Sequence, residues 1–223
     1  MFNTECMGKS ETTKQAITDI ALRSFAERGY DATTIRLIAS EAGISVGNAY
    51  YYFPTKNHMV QELYVRVQTH HRELAEARMF GVTDLAKRLE IVLLSGLESL
   101  APYHDTAPGF LAAAISPASP VNPLSEDSSE ARAIVEGLFG ELVAGTTTGI
   151  PQYLKERLPE VLWLAYLGLA LFWVYDTSPG QAKSRRLVAR SVKLFGALLP
   201  LTRLPLLRGP ITEALDIVVE ARS

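Results

Sequence analysis

The 223-residue chain contains a single cysteine, Cys6. One thiol excludes an intramolecular disulfide framework and a cysteine-rich zinc site. Three signatures of common enzymes are also missing: the GxxxxGK[ST] phosphate loop, the GxGxxG dinucleotide turn and the HExxH metal helix. No acid/base constellation stands out, and no metal or cofactor is expected. Long hydrophobic runs are scarce. The longest, residues 161–175, holds fifteen residues between Pro159-Glu160 and Asp176, against the roughly 20 that a bilayer span needs. A helix apolar on all sides reads as a buried helix, with a membrane anchor as the rival reading. Residues 1–15 are polar and do not read as a secretion leader. An excess of positive charge is lacking too. The net charge is −2, and residues 1–60 balance six cations (Lys9, Lys14, Arg23, Arg28, Arg36, Lys56) against six Asp/Glu. Binding of nucleic acid would therefore depend on where charges sit rather than on their sum, with a shallow salt dependence. With 48% hydrophobic and 21% charged residues, the chain is an ordinary globular protein with a sizeable core.

What the chain does have is a patterned stretch at residues 34–56. Thr33 or Thr34 caps a short helix from Ile35, in which Ile35, Ile38, Ala39 and Ala42 recur at helical spacing. Gly43 stands where a left-handed residue ends a helix. Ser45 then caps a second helix over about 46–53, which Pro54 stops. On that helix Val46, Ala49 and Phe53 share an inward face. Gly47, Asn48 and Tyr51 point the other way, with Tyr50 and Tyr52 at the boundary. An asparagine can pair bidentately with an adenine edge. Hydroxyls and helix-start N–H groups suit phosphate oxygens, and a glycine lets the backbone approach closely. This is the build of a DNA-reading helix-turn-helix.

Residues 12–57 resemble the N-terminal DNA-binding domain of the tetracycline-repressor (TetR) family of transcriptional regulators. The resemblance rests on Phe25, Gly29, Tyr30, Thr33-Thr34-Ile35-Arg36, Ile38-Ala39, Ala42-Gly43-Ile44-Ser45, Gly47-Asn48-Ala49-Tyr50-Tyr51-Tyr52-Phe53 and Lys56. It covers about a fifth of the chain. It implies an all-α fold, with a three-helix DNA-binding domain over 1–55 and a helical ligand-binding and dimerisation domain over 56–223. It further implies a cytoplasmic homodimer that releases a palindromic DNA operator when a small effector binds. Phosphate contacts are implied at Thr34, Ser45, Tyr50, Tyr51 and Lys56, and base-facing positions at Arg36, Val46, Gly47 and Asn48. Val46 departs from the polar residue common at its position, and Tyr52 replaces a frequent histidine.

The rest of the chain reads as helices. They fall at about 11–29, 56–79, 84–101, 109–115, 129–146, 157–176, 179–199 and 209–221, with a mobile loop rich in Pro, Ser and Asn over 116–129. Helix 56–79 would link the two domains, and His70-His71 on it read as a solvated pair, with one of them facing the pocket floor as the alternative. By position in the family, 157–176 and 179–199 would build the dimer bundle, with Leu187, Val188, Ser191, Val192, Phe195 and Leu199 as its stripe. Tyr103, His104, Phe110, Phe139, Trp163 and Tyr166 are the candidate lining of an effector pocket. An apolar cavity with a few polar groups suits a hydrophobic or aromatic effector. The alternative is an activator, or a regulator governed by a protein partner.

Overall fold

A computed structural model describes residues 4–117 and 119–220, without the side chains of residues 4–11, 110, 112 and 219. Among the described residues ten α-helices follow one another: α1 (Thr4–Arg28), α2 (Ile35–Glu41), α3 (Val46–Tyr52), α4 (Lys56–Met79), α5 (Leu85–Leu100), α6 (Ala107–Ile115), α7 (Ser129–Ala144), α8 (Gln152–Val174), α9 (Ala182–Leu198) and α10 (Pro205–Glu220). Among the described residues there is no strand. Two compact units emerge from the packing. One joins Met1–Arg66 to Pro102–Ala131, and the other joins Val67–Ala101 to Arg132–Ser223. The units thus interleave along the chain, where the sequence suggests a single division at 55/56. Helix α4 belongs to both.

Four helices begin earlier than the sequence suggests, α6 by two residues at Ala107. Helix α1 reaches back to Thr4, so Cys6 lies on a helix; its side chain is outside the described residues. Helix α8 starts at Gln152 and runs through Pro159. Helix α10 starts at Pro205 and runs through Pro210. An internal proline deletes one backbone hydrogen bond and costs about 3 kcal/mol in an isolated helix. Tertiary burial outweighs that cost in α8, where Leu154 and Leu158 are buried ahead of the proline and Leu162, Trp163, Tyr166, Leu169 and Trp173 after it.

The first unit has a tight core of Ile17, Ala21, Phe25, Ile38, Ala39, Ala49, Phe53, Met59 and Val60. Helix α6 lies against α1 with almost no space between: a Cβ on Gly109 would stand 2.6 Å from Ala26 Cα. The segment after α6 is folded into turns by its own polar side chains. Asn122 Nδ2 donates to Ser116 O, and Ser128 Oγ donates to Asn122 O. Helix α4 then holds it: Gln61 Nε2 donates to Pro120 O at 2.9 Å and Tyr64 Oη to Val121 O at 2.9 Å.

The second unit is organised by two buried charges. Arg88, 8% exposed, has no carboxylate on its guanidinium among its hydrogen-bond partners. Instead Nε donates to Leu142 O at 2.9 Å, one terminal nitrogen to Val82 O at 2.7 Å and the other to Glu141 O at 2.9 Å. It therefore collects carbonyls from the last turns of α7 and the turn after α4, where helix dipoles are negative. Gly145 makes room for it, since a Cβ there would meet the guanidinium at 2.5 Å. Asp176 is the second charge. It accepts from the backbone N–H and the hydroxyl of both Ser178 and Ser184, at 2.5–3.0 Å, and so fixes the start of α9. Burial opposes its ionisation, but these four hydrogen bonds outweigh burial and hold the carboxyl well below the usual range.

The stripe expected along 187–199 divides between two faces of α9. Val188, Val192 and Leu199 are buried on the inner face, where α9 packs on α5. Leu187 and Ser191 of that stripe face outward and Phe195 is half-buried, while Leu194 and Leu198, outside the stripe, are exposed at 60% and 48%. Leu171, Phe172 and Tyr175 are likewise exposed at the end of α8. By length and composition α8 could cross a membrane; one of its faces is the core of this unit and the other is open.

Two stability predictions follow from the buried charges. Arg88→Met removes the guanidinium from the carbonyls of Leu142 and Val82, while Glu141 O keeps the Gly145 N–H, and is expected to cost about 2–3 kcal/mol in denaturant unfolding. Asp176 has a folded pKa below its unfolded value near 4, so its contribution is complete above that pH and fades as pH falls below it. Asp176→Asn should therefore lower stability at neutral pH and flatten the acid limb of a melting-temperature profile between about pH 5 and 2.

Candidate nucleic-acid interface

Helices α2 and α3 have seven residues each, too short to persist in water alone. Their ends are secured one by one. The Thr34 side chain accepts from Leu37 N at 3.2 Å, and the Ser45 side chain accepts from Asn48 N at 3.1 Å. Each hydroxyl acts as an N-cap through its oxygen and keeps its own hydrogen for another acceptor. Between the helices, Gly43 adopts φ +66°. Its N–H bonds to Ser40 O, and Ile44 N–H bonds to Ala39 O at 3.0 Å. That pair closes α2 in a Schellman turn and sends the chain into α3.

Residues Gly43-Ile44-Ser45-Val46-Gly47 spell GxSxG, the signature of a hydrolase nucleophile elbow. The context is wrong for that chemistry. A helix, not a strand, precedes the turn, and Ser45 is an unstrained extended residue whose oxygen caps α3.

The orientation of α3 separates its residues into an anchored face and an open one. Ala49 and Phe53 are buried at 0% and 2% exposure, and Val46 is half-buried beside them. Gly47, Asn48, Tyr50 and Tyr51 are exposed, the last two at 52% and 81%. Tyr52 is half-buried, its ring edge-on to that of Tyr51 at 5.4 Å. Thr34, Arg36 and Ser45 are exposed as well. Exposed along α2, α3 and their caps are therefore a guanidinium, an amide, two phenols, two hydroxyls and a bare glycine. Nothing lies within 4 Å of the place a Gly47 Cβ would take, so that glycine answers to no demand of the fold.

Lys56 differs from its neighbours. Its ammonium donates to Tyr30 O at 2.6 Å, Thr33 O at 3.3 Å and Asp31 O at 3.4 Å, and stands 4.2 Å from the centre of the Tyr30 ring. Burial lowers its pKa, against the raising influence of Asp31.

The expected pocket residues divide between the two units. Tyr103 and His104 are half-buried in the first, with Arg66 over the Tyr103 ring at 5.9 Å. The side chain of Phe110 lies outside the described residues. Phe139, Trp163 and Tyr166 are buried in the second unit, the Phe139 and Tyr166 rings 6.1 Å apart. The sequence missed the neighbour of that pair. His71, read as solvated, is fully buried, stacks 5.1 Å from Tyr166 and donates through Nε2 to Val92 O at 2.8 Å. Burial pushes its pKa down to about 4, so it is neutral at pH 7. Gly96 leaves just enough room for the stack, because a Cβ there would meet Tyr166 at 2.5 Å. The available signal was helical phase: His71 lies four residues from the buried Val67 and from the buried Ala75.

Comparison with known proteins agrees with this geometry. Residues 17–63 match the family described as bacterial regulatory proteins, tetR family, and residues 88–220 match the tetracyclin repressor-like C-terminal domain. The HTH-type transcriptional repressor KstR2 of Rhodococcus jostii (strain RHA1) is 48% identical over 56 residues, which is 25% of this chain and 27% of that protein. The chain is thus similar to about a quarter of that relative's length. Among solved structures, a TetR transcriptional regulator from Nitrosomonas europaea superposes with a TM-score of 0.61 at 17% identity, covering 81% of this chain and 96% of that one. Thermus thermophilus FadR, a repressor in complex with lauroyl-CoA, gives 0.56 at 21% identity, covering 86% and 95%.

The turn glycine Gly43 and the helical glycine Gly47 should respond differently to a methyl group. Gly43→Ala strains a left-handed backbone and is expected to cost about 1–2 kcal/mol. Gly47→Ala should leave the melting temperature unchanged or slightly raised, since alanine favours helix by up to about 1 kcal/mol over glycine. Thermal melts of the two variants check this.

Proposed function

Since the chain belongs to the tetracycline-repressor family of bacterial regulatory proteins, we propose that it is a homodimeric repressor. On this reading it reads a palindromic operator through the open face of α3 and leaves it when a small hydrophobic effector binds. The observation that carries the reading is the exposure of Gly47, Asn48, Tyr50 and Tyr51 on a helix whose other face is buried. Asn48 is the base-reading group, and Gly47 admits the close approach of the groove. Arg36 and Val46 flank them. Thr34, Ser45, Tyr50 and Tyr51 carry hydroxyls suited to phosphate oxygens.

A palindrome needs two reading heads about one helical turn apart, which a two-fold dimer supplies. The outward faces of α8 and α9 support that arrangement. Leu187, Leu194, Leu198 and Leu201 are exposed at spacings of seven, four and three residues along the α9 end, and Leu171, Phe172 and Tyr175 are exposed on α8. Such a surface is unfavourable in water and suits a copy of itself. Gly168, exposed on the same stretch of α8, has open space at its Cβ and would permit close helix contact.

The effector reading rests on the C-terminal aromatics and on the shared fold. The similar FadR of Thermus thermophilus holds lauroyl-CoA, a ligand with a long apolar tail. Switching requires that the effector bind two poses with different affinity. Helix α4, common to both units, is the element able to carry the difference.

Fluorescence anisotropy with genomic fragments retained by the chain tests the reading. Asn48→Ala is expected to cost about 1–3 kcal/mol on the retained sequence and little on random duplex. Tyr51→Phe should cost about 1 kcal/mol on both. Equal loss for Asn48→Ala on both duplexes would remove its base-reading role. Light scattering should find a dimer that Leu194→Glu converts to monomer; a dimeric variant would place the interface elsewhere.

A further inference from the structure

We propose that Lys56 is a positioning residue: its ammonium joins the two ends of the helix-turn-helix and does not serve as a phosphate-neutralising charge. The inference rests on the reading that this unit binds DNA.

An ammonium has three N–H donors and no acceptor. Those of Lys56 face three backbone carbonyls, Tyr30 O at 2.6 Å, Thr33 O at 3.3 Å and Asp31 O at 3.4 Å. The Tyr30 ring closes the fourth side, its centre 4.2 Å away. All three carbonyls belong to the turn between α1 and α2. Thr33 immediately precedes Thr34, the cap of α2, and Lys56 opens α4 just beyond Pro54, which follows α3. The clasp therefore connects residue 33 to residue 56, the two positions that bracket the reading motif.

Neighbouring contacts hold the same seam. Tyr30 Oη donates to Asn57 Oδ1, and the Tyr30 ring packs on buried Phe25 at 5.0 Å. Thr33 Oγ1 donates to Gly29 O at 2.9 Å. Tyr30 is thus pinned from both sides, and its carbonyl is the shortest of the three contacts with Lys56. A phosphate oxygen would have to displace one of these carbonyls to reach an N–H. The exposed hydroxyls of Thr34, Ser45, Tyr50 and Tyr51 face no such competition at their hydrogens.

A clamp and a phosphate contact leave different marks. Losing a phosphate contact lowers the slope of log affinity against log salt by about one unit per head, and a charge-preserving arginine restores it. Losing a clamp weakens binding without changing the slope. Arginine does not replace it, because a planar fork cannot send three N–H groups to carbonyls converging on one point.

The test compares wild type, Lys56→Met and Lys56→Arg in the full chain. Hydrogen exchange is measured at residues 30–37 without DNA. Anisotropy with a short random-sequence duplex is measured across a salt series. The proposal expects faster exchange at 30–37 in both variants, about tenfold weaker binding in both, and a slope equal to wild type. Unchanged exchange overturns it, as does wild-type affinity in Lys56→Arg together with a reduced slope in Lys56→Met. A wild-type chain that fails to bind any duplex would overturn the DNA reading, while the exchange measurement still decides the clamp.

Discussion

Two helices of seven residues cannot hold their shape in water, and the surface proposed to read DNA consists of little else. The constraint on this chain is to make such a surface rigid without burying it. The answer is that α3 commits one narrow face, Ala49 and Phe53, to the core. Everything else on it is held by end contacts: Ser45 at its start, the left-handed Gly43 before it, Pro54 after it. The inward face fixes which side chains point out, so Asn48 and Tyr51 are displayed because Ala49 and Phe53 are not. A motif held this way depends on the turns at its borders, which is why the α1–α2 turn and the first residue of α4 carry so many contacts.

The second unit solves a different problem. It is built of long helices with ample apolar surface, and its few buried polar groups determine where helices end. Arg88 gathers carbonyls from the ends of two helices, and Asp176 starts α9 with four hydrogen bonds. Buried charges satisfied by backbone make the unit's architecture specific, because shifting any of these helices would strand a carbonyl or a carboxylate. The neutral His71, stacked on Tyr166 over Gly96, belongs to the same kind of core.

Much of the first unit was legible in the residues themselves. Thr34, Gly43, Ser45 and Pro54 are local signals, each acting within four residues of itself, and the helix boundaries they mark agree with the structure to within a residue. The limits of α4 at Lys56 and Met79 were equally clear. Longer-range physics was not. Pro159 and Pro210 fall in the first turns of the helices expected at 157–176 and 209–221, and the longer starts at Gln152 and Pro205 escape the sequence because the packing that outweighs a lost hydrogen bond is contributed by distant helices. The stripe at 187–199 reads as one face because spacing cannot tell an inner contact from an outer one; only the position of α5 separates Val188 and Val192 from Leu187 and Ser191. His71 read as solvent-facing because its partners, Val92 O and Tyr166, lie far along the chain. The carbonyls around Lys56 carry no side-chain signature at all.

The central claim is that α3 presents its open face to a DNA major groove, twice, across a two-fold axis. Hydroxyl-radical footprinting on a genomic fragment retained by the protein tests it most directly. The account predicts two protected patches on one face of the duplex, related by a palindrome and centred about 34–36 Å apart. A single continuous protected stretch, or protection without two-fold symmetry, would contradict it.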